Sequence, residues 1–344
     1  MTALRVMRTI APVFMLAFLV ECSGAGSQHT SSGASIPNAI PRTIAHRMAF
    51  GACTCNTYPD GTLAIYDDIN GQIDIYEGPI SNSTTASITL SPSCGTNSSG
   101  GMTFDPSGDL WVLGCGGAGS TIYEYGAPLT TGESPSLTIS GSNTGLLSPD
   151  GISYNQSTGD IYVLQSGKIL IWSATASGNV APSTTISSVD IAGVSIKTDA
   201  NYIYVADATS GIDQFNLTAS GSVSPNTTFL SGTQYDNFDF DVEGNIYLDT
   251  TGTANSVIRY QYEDNWASSI GFTGGTLGTA LYPVVDDTGH VYVTAGTTSG
   301  LTSVSTYISS FTGGSPIVTM TGPSRNVNGA ALYSPGKFNG DEPQ

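Results

Sequence analysis

A short apolar triplet with a central aromatic returns along the chain at nearly even spacing, and no other feature restricts the fold as much. Its copies are Leu110-Trp111-Val112, Ile161-Tyr162-Val163, Ile203-Tyr204-Val205, Ile246-Tyr247-Leu248 and Val291-Tyr292-Val293, with Leu63-Ala64-Ile65 as a degenerate first member. The central positions 64, 111, 162, 204, 247 and 292 lie 47, 51, 42, 43 and 45 residues apart. A period of this size marks one supersecondary unit used repeatedly, each copy burying its apolar surface against the next.

Each triplet follows a turn: Tyr58-Pro59-Asp60-Gly61, Asp105-Pro106-Ser107-Gly108, Asp241-Val242-Glu243-Gly244 and Asp286-Asp287-Thr288-Gly289, with looser versions around Thr158-Gly159 and Ala200-Asn201. An Asp opening a turn hydrogen-bonds the turn's own backbone, and Gly accepts the positive φ that closes it. A strand precedes the turn, as in Gly101-Met102-Thr103-Phe104. A third strand ends in an aromatic at Tyr76, Tyr125, Trp172, Phe215, Tyr260 and Tyr307, and a Thr/Ser-rich fourth follows, such as Thr184-Thr185-Ile186. Four antiparallel strands per repeat and no helical periodicity predict an all-β β-propeller of six four-stranded blades. The triplets are apolar on both alternating faces because each sheet lies between two neighbours. Val327-Asn328-Gly329-Ala330-Ala331-Leu332-Tyr333 reads as a C-terminal strand that pairs with the first blade near Leu63 to Tyr66 and leaves no open edge. Seven blades is the alternative, if Met48 to Thr57 and the C-terminal segment build an incomplete extra one.

Nine Lys and Arg against 27 Asp and Glu give a formal charge of −18. Nucleic-acid binding needs clustered cations to neutralise phosphates, so that class is excluded, and attraction of the surface to an anionic membrane is excluded by the same sign.

The first residues carry Arg5 and Arg8, then an apolar run from Ile10 to Val20, then small residues. The run is too short to span a membrane and reads as a secretory signal peptide over 1–21. A Ser/Gly/Pro-rich tether follows over 22–45, then the propeller over 46–337 and a tail over 338–344. Leu19-Val20-Glu21-Cys22 resembles a lipobox, with Glu21 where a small residue is usual. That resemblance implies acylation of Cys22 and a cell-envelope location, the membrane being reached only through this lipid. Cleavage after Ala25, giving a secreted protein, is the alternative. The remaining Cys53, Cys55, Cys94 and Cys115 are even in number and point to two disulfides of open pairing.

Glu243-Gly244-Asn245-Ile246-Tyr247-Leu248 resembles the NHL-type and streptogramin-lyase-like propeller repeats. Gly178-Asn179-Val180-Ala181-Pro182 is similar to a linker of exported bacterial propellers, with a weaker echo at Ala219 to Pro225. The likeness implies a propeller over roughly Phe50 to Gly336 and leaves function open, since such folds carry enzymes, sensors and binding modules.

Chemistry is sparse. The histidines are His29, His46 and His290, and His290 occupies a turn slot before a strand. The resemblance implies a histidine, a glutamate and a divalent metal for lyase activity, and no such pair is recognisable. A lactonase-like alternative would hold one divalent cation on the central axis, for which Asp239, Asp241, Asp286 and Asp287 are the nominees because hard cations take oxygen ligands. Asp241 and Asp286 also share the repeat slot of Asp105, where turn capping suffices. Asp67 to Gly71 has the look of a calcium loop without its closing acid and is expected to close a hairpin. Neither a nucleophile elbow nor a phosphate loop is present. Trp266 lies outside the triplets and is a candidate exposed contact. The expectation is a binding or protein-interaction module without a cofactor, taking a protein, glycan or small-molecule ligand at one end of the ring. A metal-dependent lactonase or lyase is the alternative.

Overall fold

The computed structural model describes residues 61–334 apart from 68–69, 79, 93–100, 115–119, 208–210, 233–234, 250–256, 263–264, 273–279, 297–302, 309–317 and 322–326. The leader, the tether, the tail, the segment 48–57, and Cys22, Cys53, Cys55, Cys94 and Cys115 lie outside the described residues. Among the described residues every element is a strand.

The first sheet holds β1 (Thr62–Asp67), β2 (Gln72–Glu77) and β3 (Ile88–Leu90). The second holds β4 (Met102–Phe104), β5 (Leu110–Leu113), β6 (Thr121–Tyr125) and β7 (Leu137–Ser140). The third holds β8 (Gly151–Asn155), β9 (Asp160–Gln165), β10 (Lys168–Ser173) and β11 (Thr184–Ser187). In the fourth, β12 (Gly193–Thr198), β13 (Tyr202–Asp207) and β14 (Gly211–Asn216) are followed by β15 (Gly221–Ser222) and β16 (Thr227–Phe229). The fifth holds β17 (Phe238–Phe240), β18 (Ile246–Asp249), β19 (Val257–Tyr260) and β20 (Ser269–Phe272). The sixth holds β21 (Ala280–Val285), β22 (His290–Gly296), β23 (Ser303–Ile308) and β24 (Val318–Thr321). Finally β25 (Val327–Tyr333) returns to the first sheet beside β1, with Leu63 opposite Leu332 and Ala64 opposite Ala331.

Consecutive strands pair antiparallel within each sheet, the pattern of a β-propeller with blades of four strands. One sheet departs from the expected count. The third takes a fifth strand, because β15 leaves its own blade and pairs parallel with the outer strand β11.

The triplets explain the packing. A strand turns successive side chains to opposite faces, so the central residue meets one neighbouring sheet and its flanks the other. Trp111 packs with Ile152, Ile161 and Trp172 of the third sheet, while Leu110 and Val112 pack with Tyr66 and Ile75 of the first. Tyr162 and Tyr204 likewise face the following sheet, and Ile161, Val163, Ile203 and Val205 the preceding one. Tyr292 of the sixth sheet packs against Leu63 and Ile65 of the first, bringing the two ends of the chain's sheet series together. Burying such a side chain stabilises by roughly 1.5–3 kcal/mol, which is why every triplet position stays apolar.

Candidate functional site

The strands that open the blades, β4, β8, β12, β17, β21 and β25, line the axis. Two cavities lie along it, one bounded by Met102, Ser153, Lys197, Asp239, Val284 and Ala331 and the other by Gly151, Ile196, Asn237 and Ala330. Met102, Lys197 and Val284 border both, so they mark the waist between them. The second cavity, of about 370 Å³, is bordered by Asp150 and Asp236 on the crossovers that lead into β8 and β17.

At the waist Lys197 Nζ lies 3.2 Å from Asp239 Oδ1, and the Lys side chain keeps 28% exposure. Val285 N donates to the other oxygen of Asp239 at 2.9 Å. Asp239 therefore joins the inner strands of three successive sheets, with its charge met by Lys197. Of the four nominated acids Asp239 and Asp241 border the first cavity, and the oxygens of Asp239 are engaged.

The other three are held by their own turns or by Ser334. Asp241 accepts from Glu243 N, Asn245 N, Asn245 Nδ2 and the Tyr247 hydroxyl, at 3.0, 2.9, 2.8 and 3.1 Å. Burial pushes its carboxyl up, and these donors pull it back. Asp286 accepts from Thr288 N, His290 N and the Tyr292 hydroxyl at 2.9, 2.8 and 3.3 Å. Asp287 takes the Ser334 hydroxyl at 2.8 Å and donates its N–H back to it. Asp286 and Asp287 border neither axial cavity.

Asp105 binds Ser107 N, Asp109 N and Trp111 Nε1, and Asp199 binds Asn201 N, Tyr202 N and the Tyr204 hydroxyl. The device is the same in the second, fourth, fifth and sixth sheets: one carboxylate caps the turn and also accepts from the buried aromatic at the centre of the following triplet, whose polar tip needs a partner. The turn glycines Gly108, Gly244 and Gly289 carry φ of 87°, 84° and 85°, which a side chain would strain. Asn155 plays the carboxylate's part in the third sheet, accepting from Ser157 N and Thr158 N. The sequence concealed Asp199 and Asn155 because their turns differ in length and lack the Asp-x-x-Gly spacing.

His290 serves this turn too, with Nδ1 2.8 Å from Thr288 Oγ1. Asp67 closes the β1–β2 hairpin, where Gly71 N donates to its carbonyl and Asn70 Nδ2 to its carboxylate, as expected of that segment. Trp266 is buried, not an exposed contact. It is 5% exposed, its Nε1 donates to Gly244 O at 3.1 Å, and it packs against Tyr204, Phe229, Phe240 and Tyr262.

Three further acids border the second cavity: Asp150 and Asp236 on the crossovers into β8 and β17, and Asp249 at the end of β18. Burial raises the carboxyls of Asp150 and Asp236, and it raises that of Asp249 to about 7 with repulsion from Asp236 adding to it. Asp249 Oδ1 accepts from Asn237 N at 2.6 Å and Asp236 N at 3.1 Å. Among the described residues no three His, Cys, Asp or Glu side chains are placed to share one metal ion.

No protein-family model matches the sequence, and no curated protein matches it. Among solved structures, one titled the crystal structure of the nidogen/laminin complex is similar with a TM-score of 0.56 at 12% identity, over 80% of this chain and 99% of that one. The WD40 domain of coronin from Toxoplasma gondii gives a TM-score of 0.45 at 10% identity, over 67% of this chain and 60% of that one. The first likeness shows the fold: this chain is a β-propeller.

Proposed function

We propose that the chain is an exported binding module of the NHL-like type. In this reading it is a ring of six blades closed by β25, held at the cell envelope through Cys22 or released by cleavage behind Ala25. Cys53, Cys55, Cys94 and Cys115 form two disulfides in the oxidising compartment, and the loops at one end of the ring engage a protein partner. The similar solved structure is a complex of nidogen with laminin, which agrees with a protein partner for this propeller.

The observation that carries the reading is the employment of the acids. Asp241 and Asp286 each spend their oxygens on their own turn and on a buried tyrosine, Asp287 on Ser334, and Asp239 on Lys197 and Val285 N. A metal-dependent lactonase needs such oxygens open toward the axis. The two roles have opposite consequences for stability. A turn carboxylate holding several donors stabilises, so Asp241→Ala and Asp286→Ala should each lower the unfolding free energy by about 2–4 kcal/mol, since hydrogen bonds to a charged group contribute about 1.5–3 kcal/mol apiece. Removing one acid from a cluster kept for metal relieves repulsion and leaves stability level or raised. Urea unfolding of the two variants separates these, and an unchanged or higher stability would refute the binding reading.

A further inference from the structure

We propose that the crossover end of the ring docks a partner segment presenting one basic side chain between aliphatic ones, with the basic side chain entering the axial cavity. The inference rests on the reading of the chain as a protein-binding module and supplies the chemistry of the partner.

Three carboxylates and one ammonium group border the cavity. Asp150 and Asp236 are partly buried there, and no described residue donates a hydrogen bond to either carboxylate. Asp249 is almost wholly buried, and its Oδ1 accepts from Asp236 N and Asn237 N. Lys197 is the cation bordering the cavity, and it already lies against Asp239 at 3.2 Å. Carboxylates removed from water without a partner are costly, and an ammonium or guanidinium group would give them charge-assisted hydrogen bonds. Their separation suits no single shared metal ion, and a cavity of about 370 Å³ has room for a whole Lys or Arg side chain.

The surface at this end of the ring says what carries that cation. Leu147 and Val189 are 66% and 99% exposed, and they are two of the three large hydrophobic residues exposed among the described residues. Leu147 lies three residues before Asp150 on the crossover into β8. Val189 lies on the crossover into β12, whose Val194 and Ile196 border the cavity. Both crossovers belong to the same end of the ring, because each packs on the β9–β10 hairpin: Leu147 N donates to Gln165 Oε1, and Gly167 N to Ile191 O. Aliphatic side chains held in water at the end of the ring whose crossovers border an acidic cavity match a segment in which a basic residue is flanked by apolar ones. The formal charge of −18 draws such a segment in.

The test uses the full-length chain and an acetylated, amidated pentapeptide with lysine between leucine and valine, alongside the same peptide with norleucine in place of lysine, and butylamine. Binding is followed by calorimetry at low salt. The lysine peptide should bind saturably, about tenfold tighter than the norleucine peptide and tighter than butylamine, and should weaken steeply as salt rises. Asp150→Asn with Asp236→Asn should weaken it by about tenfold, and Leu147→Ser with Val189→Ser by severalfold, with melting temperatures held. Equal binding of the norleucine peptide, unchanged affinity in the double Asn variant, butylamine binding as well as the peptide, or no saturable binding would each overturn the proposal. The binding-module reading fails separately, on the unfolding of the Asp241 and Asp286 variants.

Discussion

Asp249 ends β18 in a place where water scarcely reaches, accepting two backbone N–H groups with one oxygen and facing the repulsion of Asp236. With its carboxyl raised to about 7 against roughly 3.9 in an unfolded chain, the native state keeps a proton that the unfolded state has released. Stability therefore falls as pH rises from about 4 to about 7, by at most about 4 kcal/mol from this group. Asp249→Asn keeps the acceptor and removes the charge, so it should flatten that slope and exceed the parent chain in stability at neutral pH. Urea unfolding at acidic and neutral pH reads this directly, and an unaltered slope would contradict it. Sequence reasoning found the turn acids through the repeat slot of Asp105, yet it missed Asp150, Asp236 and Asp249. These stand at strand ends and crossovers, and only folding brings such positions to one cavity. Trp266 escaped for a related reason: Asn265 and Trp266 both adopt positive φ, 59° and 60°, which turns the loop back onto the sheet in a way no periodicity announces.

Among the elements, the linkers between third and fourth strands do more than connect. In the second sheet Gly132 N donates to Thr89 O of β3 at 3.0 Å, and in the third Gly178 N donates to Thr138 O of β7 at 2.7 Å. In the fourth, β15 pairs with β11. Each linker covers part of the outer edge of the preceding sheet, which blunts an edge that would otherwise invite pairing with another chain. Asn179 fastens the second of these clamps, accepting from Asn143 N at 2.7 Å. A Cβ at Gly141, where φ is 117°, would come within 2.5 Å of the Asn179 amide oxygen. Asn179→Ala should cost about 1 kcal/mol, one hydrogen bond. Gly141→Ala should cost roughly 2–3 kcal/mol, because backbone strain is added to the displaced clamp. Thermal melts of the two variants rank them, and the reverse order would contradict the clamp. The strands themselves were legible because burial on both faces forces apolar triplets at a fixed period. The clamps were only half legible, as a recurring Gly-Asn-Val-Ala-Pro-like phrase, since Ser, Thr and Gly say little about which edge they will meet.

Across the whole molecule, the chain's last described strand lies beside its first. β25 pairs with β1, Tyr333 donates its hydroxyl to Pro106 O at 3.3 Å, and Ser334 binds Asp287 of the sixth sheet. One short segment thus touches the first, second and sixth sheets. Deleting residues 327–344 should leave β1 unpaired on one side and yield a chain that melts early and associates, as seen by calorimetry and gel filtration. A truncated chain that melts like the parent as a monomer would contradict this role. In the proposed binding role the axial carboxylates serve the fold and a partner, not a divalent ion. The most direct test is the metal content of the purified protein by elemental mass spectrometry, with its melt recorded in the presence and absence of chelator. A binding module should carry no stoichiometric divalent ion and melt unchanged, whereas one ion per chain with a melting temperature lowered by chelator would contradict that role and return the axial acids to catalysis.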